Sequence, residues 1–348
     1  MQLLYLLEKM RNPFFDFLFS LTTRLGEETV FLAIAIFVFW CINKREGYYI
    51  LITGLVGTVV NQMLKLLCKV PRPWVKNPNF TIVESAREAA RGYSFPSGHT
   101  QSIAGTFGAI GRYSSKRWVR ISAIVIIALV AFSRMYLGVH TPWDVLASLG
   151  IAAVLVFGLY PMFKTEERFK LFMPYIVGAA FAVAMGFLIY ILYTPDRGPL
   201  WNNPNYISAM KNAYTMFGCT LGLVVVYAFD SMYIDFKTKA PWYSQILKFA
   251  IGLLIVIGLK AGLTSPLIRL FGNEYVARAF RYFIIVVFAG IIWPLTFGFF
   301  AAIKFRSLDK FGEKVACIFS KRYREEVEAR LREEKKARRL RKQKQRRK

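Results

Sequence analysis

A chain of 348 residues that is 55% hydrophobic, with 31 Phe and 18 Tyr, carries more apolar surface than a soluble domain can cover. Its formal net charge of +26 is unevenly placed, since residues 304–348 hold 19 Lys and Arg against 7 Asp and Glu. These features exclude a soluble globular enzyme and indicate an all-α, polytopic membrane helix bundle. No nucleic-acid partner is expected, because a basic tail beside a membrane domain marks the cytoplasmic side.

In chain order, residues 1–25 read as an interfacial amphipathic helix, with Leu3, Leu4, Leu7, Phe14, Phe15 and Leu18 among polar positions. A very short extra span is the alternative. Glu8, Lys9 and Arg11 interrupt the first apolar stretch and no small-residue cleavage site follows, so no cleavable signal peptide is expected. Residues 26–305 read as the integral membrane domain, with about nine spans near 28–43, 47–68, 99–113, 118–137, 142–163, 172–193, 212–230, 245–263 and 280–304. Several fall short of the ~20 residues that cross a ~30 Å hydrocarbon core. The third, with Gly105, Gly108 and Gly111, is the least hydrophobic and belongs inside the bundle. Residues 306–348 form a basic cytoplasmic tail able to lie on anionic lipids, with Glu328/Arg332 and Glu334/Arg338 spaced for a solvated helix and disorder expected beyond Lys342. Cys41, Cys68, Cys219 and Cys317 are too scattered for a disulfide framework or metal cluster.

Counting Lys and Arg along the connections puts the odd ones and the C-terminus in the cytoplasm, a bias that rests mainly on the tail. The N-terminus and the second and fourth connections then face the opposite side. The second, residues 70–98, is long enough to be functional, with Pro71, Pro73 and Pro78 followed by a polar stretch and Gly92. Residues 194–206, around Trp201, form another loop on that face, a lid or a connector.

Chemistry-bearing residues collect at these two connections. Lys65 precedes Arg72-Pro73 by seven positions, Pro96-Ser97-Gly98-His99 opens the third span, and Ser133-Arg134 leads to His140 and Asp144. The chain has only two histidines, and both lie in these pieces. Arg72 and Arg134 can hold phosphate oxygens bidentately while Lys65 serves as a point charge. Lys65 alone would read as a snorkelling residue at the end of its span; its spacing to Arg72-Pro73 favours the functional reading. Asn61, one turn earlier, either orients Lys65 or makes a small-polar helix contact. Ser97 reads as an N-cap, and the same helix start turns N–H groups and the positive dipole end towards an anion, with Gly98 permitting close approach. Thr141, Pro142 and Asp144 read as a capping box, which is compatible with Asp144 orienting His140.

Together the three pieces resemble the signature of the type 2 phosphatidic acid phosphatase superfamily, with no departure at the fixed positions. The resemblance covers roughly residues 26–165, with a motif core at 58–165 and additional spans at 172–304. It implies a nucleophilic His140, a general acid at His99, and phosphate contacts from Lys65, Arg72, Ser97, Gly98 and Arg134. Spacing alone does not say which histidine does which. It further implies a lipid phosphate or diphosphate as substrate, hydrolysed outside the cytoplasm through a phosphohistidine. No cofactor or metal is expected, since three cations take the place of a metal and no Asp/Glu/His cluster at ligand spacing remains. The layout resembles the branch containing sphingosine-1-phosphate phosphatases and glucose-6-phosphatase. A sugar-phosphate phosphatase and a lipid phosphotransferase share every catalytic residue and stay open. A transporter leaves the two histidines unexplained, and vanadate haloperoxidases share the constellation but are soluble.

Overall fold

The computed structural model describes residues 1–90, 92–194 and 203–303, and residues 305, 308, 325, 329, 332 and 333 singly. Arg91, the core of the 194–206 loop with Trp201, and the charge pairs of the tail lie outside the described residues. The chain divides into two compact units, one of Met1–Thr238 with Phe249–Phe297 and one of Lys239–Lys248 with described residues from Gly298 onward.

In the first unit, α1 (Gln2–Lys9) and α2 (Pro13–Thr23) replace the single helix expected over 1–25. The break follows from Asn12, whose side chain accepts the Phe15 N–H, and from Pro13 at the first helical position. Then come α3 (Glu28–Phe37), α4 (Lys44–Cys68), α5 (Pro73–Lys76), α6 (Gly98–Tyr113), α7 (Arg117–Tyr136) and α8 (Pro142–Phe163). The C-terminal half adds α9 (Glu166–Tyr193), α10 (Pro204–Phe229), α11 (Trp242–Gly262), α12 (Thr264–Phe271), α13 (Glu274–Val287) and α14 (Phe297–Ala302).

All nine expected spans are helical. Seven are long and apolar enough to cross a bilayer, which makes this a multi-pass integral membrane protein. The first expected span is instead half of a bent pair, Pro13–Gly26 with Glu28–Ile42 at 52°. The third, α6, has only 16 residues, and it lies against α4, α7 and α8 with Thr100, Gln101, Gly105 and Thr106 buried. A helix enclosed by protein can be short and polar, because its neighbours rather than lipid satisfy it.

Charge and aromatic contacts anchor the end of the bundle away from His99 and His140. Lys44 bridges Asp230 at 3.2 Å and Asp235 at 2.9 Å, and Tyr48 donates to Asp230, tying the start of α4 to the end of α10. At the other end α1 and α2 roof the 69–97 loop. Leu4 and Leu7 are buried, with Leu4 packed alongside Phe80 and Ile82. Arg11 donates to the carbonyls of Thr81 and Tyr136, and Asp16 accepts from Tyr136. Gly138, at φ +80°, makes the turn after α7, and a Cβ there would approach Arg11 and Phe80 at 2.6 and 3.0 Å.

In the second unit, Tyr243 donates to the Ile303 carbonyl and accepts the Phe305 N–H, with its ring against Phe305.

Candidate active site

Six elements deliver the site. Lys65 lies one turn before the end of α4, which closes at Lys69 in the left-handed region. Its ammonium reaches the Tyr93 carbonyl at 2.7 Å and the Ser94 carbonyl at 3.4 Å, and it also lines a cavity of about 220 Å³. Lys65 therefore holds the loop before Ser97 in place as well as charging the cavity.

Arg72 caps the short α5 with an extended backbone and turns its guanidinium inward. Nε donates to the Gly92 carbonyl at 3.0 Å, and Nη1 donates to the Val139 carbonyl at 2.9 Å and lies 2.8 Å from His140 Nε2. The same Nη1 lies 3.5 Å from Nδ1, so it sits over the ring rather than in line with the Nε2 lone pair. A carboxylate only accepts, so the contact with Asp144 puts the proton on Nδ1 and the lone pair on Nε2. That proton faces Asp144 Oδ2 at 3.4 Å, a long contact. Asp144 is held elsewhere more tightly: the same oxygen accepts the Thr141 N–H at 2.7 Å and the Ser94 hydroxyl at 2.6 Å. Thr141 and Asp144 complete the capping box of α8, so one carboxylate starts a helix and orients an imidazole. His140 stands between α7 and α8, and burial, followed by the charges of Arg72, Arg134, Lys65 and His99, holds its pKa well below the ordinary histidine value.

Ser97 is the N-cap that its sequence position indicates. It is fully buried as the N-cap of α6, accepting from the Thr100 N–H and hydroxyl, while its own N–H goes to the Asp144 carbonyl at 3.1 Å. Neither Ser97 nor Asp144 lines the cavity; they support its floor. Gly98 and His99, the first residues of α6, do line it. His99 Nε2 is buried with no hydrogen-bond partner.

Arg134 completes the positive wall. It is fully buried near the end of α7 and donates through Nη1 to Thr23 at 2.7 Å, yet Nε and Nη2 have no partner and the residue faces the cavity. Buried guanidinium donors without acceptors are costly, so the site is built for an anion. Asn61 and Gln101, also in the wall, have both amide atoms unpartnered at 1% and 3% exposure.

The structure thus brings Asn61, Lys65, Arg72, Gly98, His99, Arg134 and His140 to one cavity. Sequence reading missed Thr23, Gly26, Glu28, Ser94 and Gln101. Of these only Ser94 had a signal, its place three residues before Ser97.

The sequence profile of the PAP2 superfamily matches residues 45–168, which hold every one of the site's motif residues. The chain belongs to the PAP2 superfamily. A second profile, the PAP2 superfamily phosphatase transmembrane extension, matches residues 214–303. Among curated relatives, human sphingosine-1-phosphate phosphatase 2 is 26% identical over 198 residues, 54% of this chain and 49% of the relative. An undecaprenyl-diphosphatase of Bacillus subtilis is 33% identical over 116 residues, 33% of this chain and 56% of the relative. Lipid phosphate phosphatase delta of Arabidopsis thaliana is 26% identical over 231 residues, 63% of this chain and 53% of the relative. The chain spans about half the length of the curated relatives it matches. No solved structure matches it.

Proposed function

We propose that this PAP2 protein is a metal-independent membrane phosphatase that hydrolyses a lipid phosphate or diphosphate on the non-cytoplasmic face through a phosphohistidine. The observation that carries this reading is the pair of unpartnered Arg134 nitrogens in the cavity that also holds Arg72, Lys65, His99 and His140. The relatives' names, which specify lipid phosphates and a polyprenyl diphosphate, support the substrate class.

In this reading the phosphoryl oxygens accept from Arg134 Nε and Nη2, from Lys65, and from the first-turn N–H groups of α6. Arg72 turns its Nη1 donor from the His140 ring to a phosphate oxygen. Nε2 attacks phosphorus, the bond to the ester oxygen breaks, and protonated His99 gives its proton to that oxygen. Asp144 stabilises the imidazole through Nδ1–H as positive charge develops. Water then attacks the phosphohistidine, His99 takes the proton, the Nε2–phosphorus bond breaks and inorganic phosphate leaves. The three cations offset the charge spread over the equatorial oxygens. The basic odd connections and tail support a cytoplasmic C-terminus and an opposite-facing site. Exposed Phe14, Phe17 and Leu21 of α2 suit residues 1–25 to the membrane interface, and the tail suits anionic lipid.

Rapid acid quench with labelled lipid phosphate should trap an acid-labile phosphoenzyme in the wild type and none in His140→Ala, with turnover unaffected by EDTA. An undiminished phosphoenzyme in His140→Ala would refute the nucleophile. Glucose 6-phosphate outperforming every lipid phosphate in kcat/KM by about tenfold would replace the lipid reading with a sugar-phosphate one.

A further inference from the structure

The catalytic cavity is also lined by Glu28 of α3 and by Ser208 and Asn212 of α10. The same two helices line a second cavity of about 270 Å³, to which α3 gives Leu32, Ala33 and Ile36 and α10 gives Cys219, Leu223 and Val226. On α10, positions 208, 212, 219, 223 and 226 recur at helical spacing and so form one face. Asn212 and Cys219 are seven residues apart, about 10 Å along the axis. Both helices therefore run from a polar end at the catalytic cavity to an apolar end, in the same direction. The remaining walls come from α4, through Tyr48 and Leu51, from α11, through Leu253, Val256 and Ile257, and from α13 with the turn after it, through Ala289 and Gly290.

Lys260 occupies the polar end of this groove. It lines the groove with Thr29, the neighbour of Glu28, and interacts electrostatically with Glu28. An ammonium within an apolar span is stable only beside an anion or a polar surface. Lys260 is itself exposed, three residues on from Ile257 along α11.

We infer that the substrate's hydrocarbon chain lies in the groove between α3, α4, α10, α11 and α13, so that this groove, built mostly from helices that carry none of the catalytic motifs, decides which chain is accepted. The inference rests on the lipid-phosphatase reading. A phosphate held by Arg134 and Arg72 has its ester oxygen directed away from them, and the polar-to-apolar gradient along α3 and α10 fits an amphiphile with its head at Asn212 and its tail beyond Cys219. The groove is open on its α11 side, where Ile257 is half exposed, so a chain can enter from the bilayer without leaving it.

The test compares hexadecyl phosphate with p-nitrophenyl phosphate, whose leaving group does not reach the groove, using full-length protein in nanodiscs. Ala33→Trp and Ile257→Trp narrow the groove, and Leu254→Trp on the outer face of α11 is the control. The groove variants should lower the ratio of kcat/KM for hexadecyl over p-nitrophenyl phosphate by about tenfold or more, and the control should leave it within about twofold. Retained p-nitrophenyl phosphate hydrolysis reports that each variant is folded, and Ala33→Leu and Ile257→Phe serve where a Trp variant is not. An unchanged ratio in folded groove variants overturns the groove assignment alone. A wild type that hydrolyses neither substrate overturns the phosphatase reading and the groove with it.

Discussion

A single oxygen, Asp144 Oδ2, accepts from Thr141, Ser94 and His140, and its two short bonds fix it more firmly than its long bond to the imidazole. The carboxylate is a rigid reference against which His140 turns. Arg72 contacts the ring through Nη1, 2.8 Å from Nε2 and 3.5 Å from Nδ1, and its charge lowers the pKa of His140, second only to burial. In the proposed mechanism the imidazole is neutral and nucleophilic above its pKa, and as pH falls through that pKa it protonates and the rate is lost. The acid limb of kcat/KM should therefore lie below the ordinary histidine value in the wild type. In Arg72→Gln, measured with the same substrate, it should move to higher pH as well as lower the rate. A limb that stays put or moves down would show that Arg72 does not act on His140 through charge. The motif made His140, Asp144 and Arg72 legible because their spacing is local. Thr23 was not, because it acts through a tertiary hydrogen bond to Arg134 that leaves no periodic trace, and Ser94 was marked only by its place three residues before Ser97.

At the scale of elements, apolar periodicity located all nine helices, but it could not separate helices that cross a bilayer from those enclosed by protein. α6 illustrates the difference: its 16 residues suffice because α4, α7 and α8 surround it. The bend between Pro13–Gly26 and Glu28–Ile42 was equally hidden, and beside it the chain packs closely on a residue distant in sequence. Gly26 ends a short 3-10 turn against α6, where an added Cβ would stand 2.9 Å from the His99 carbonyl and 3.0 Å from its Cβ. Both are tighter than van der Waals contact permits, so a methyl group must push the turn or His99 away. Gly26→Ala should therefore lower kcat about tenfold or more, since small displacements of a catalytic group have large effects. The readout is single-turnover hydrolysis of an aryl phosphate, whose good leaving group depends less on the acid. If His99 is the displaced group, the loss should be smaller for the aryl than for an alkyl phosphate. Equal losses on both would place the effect elsewhere.

For the molecule as a whole, the distribution of contacts and charge gives the two ends of the bundle different work. One end is closed by Lys44 with Asp230 and Asp235 and by the aromatic rings around Tyr48, which fixes the helices without chemistry. The other gathers the 69–97 loop, the turn at His140 and the start of α6 beneath α1 and α2. Helix order places Ser85 at this second end and Ser115, between α6 and α7, at the first, and both are exposed. Under the proposed topology, in which the basic odd connections are cytoplasmic, the first end faces the cytoplasm. In a cysteine-free background, Ser85→Cys should react with a membrane-impermeant maleimide added to intact cells. Ser115→Cys should react only after permeabilisation. The reverse pattern would turn the site to the cytoplasm and require a substrate from the inner leaflet. The groove along α3 and α10 would still begin at the catalytic end, because its direction is set by the helices and not by the side they face.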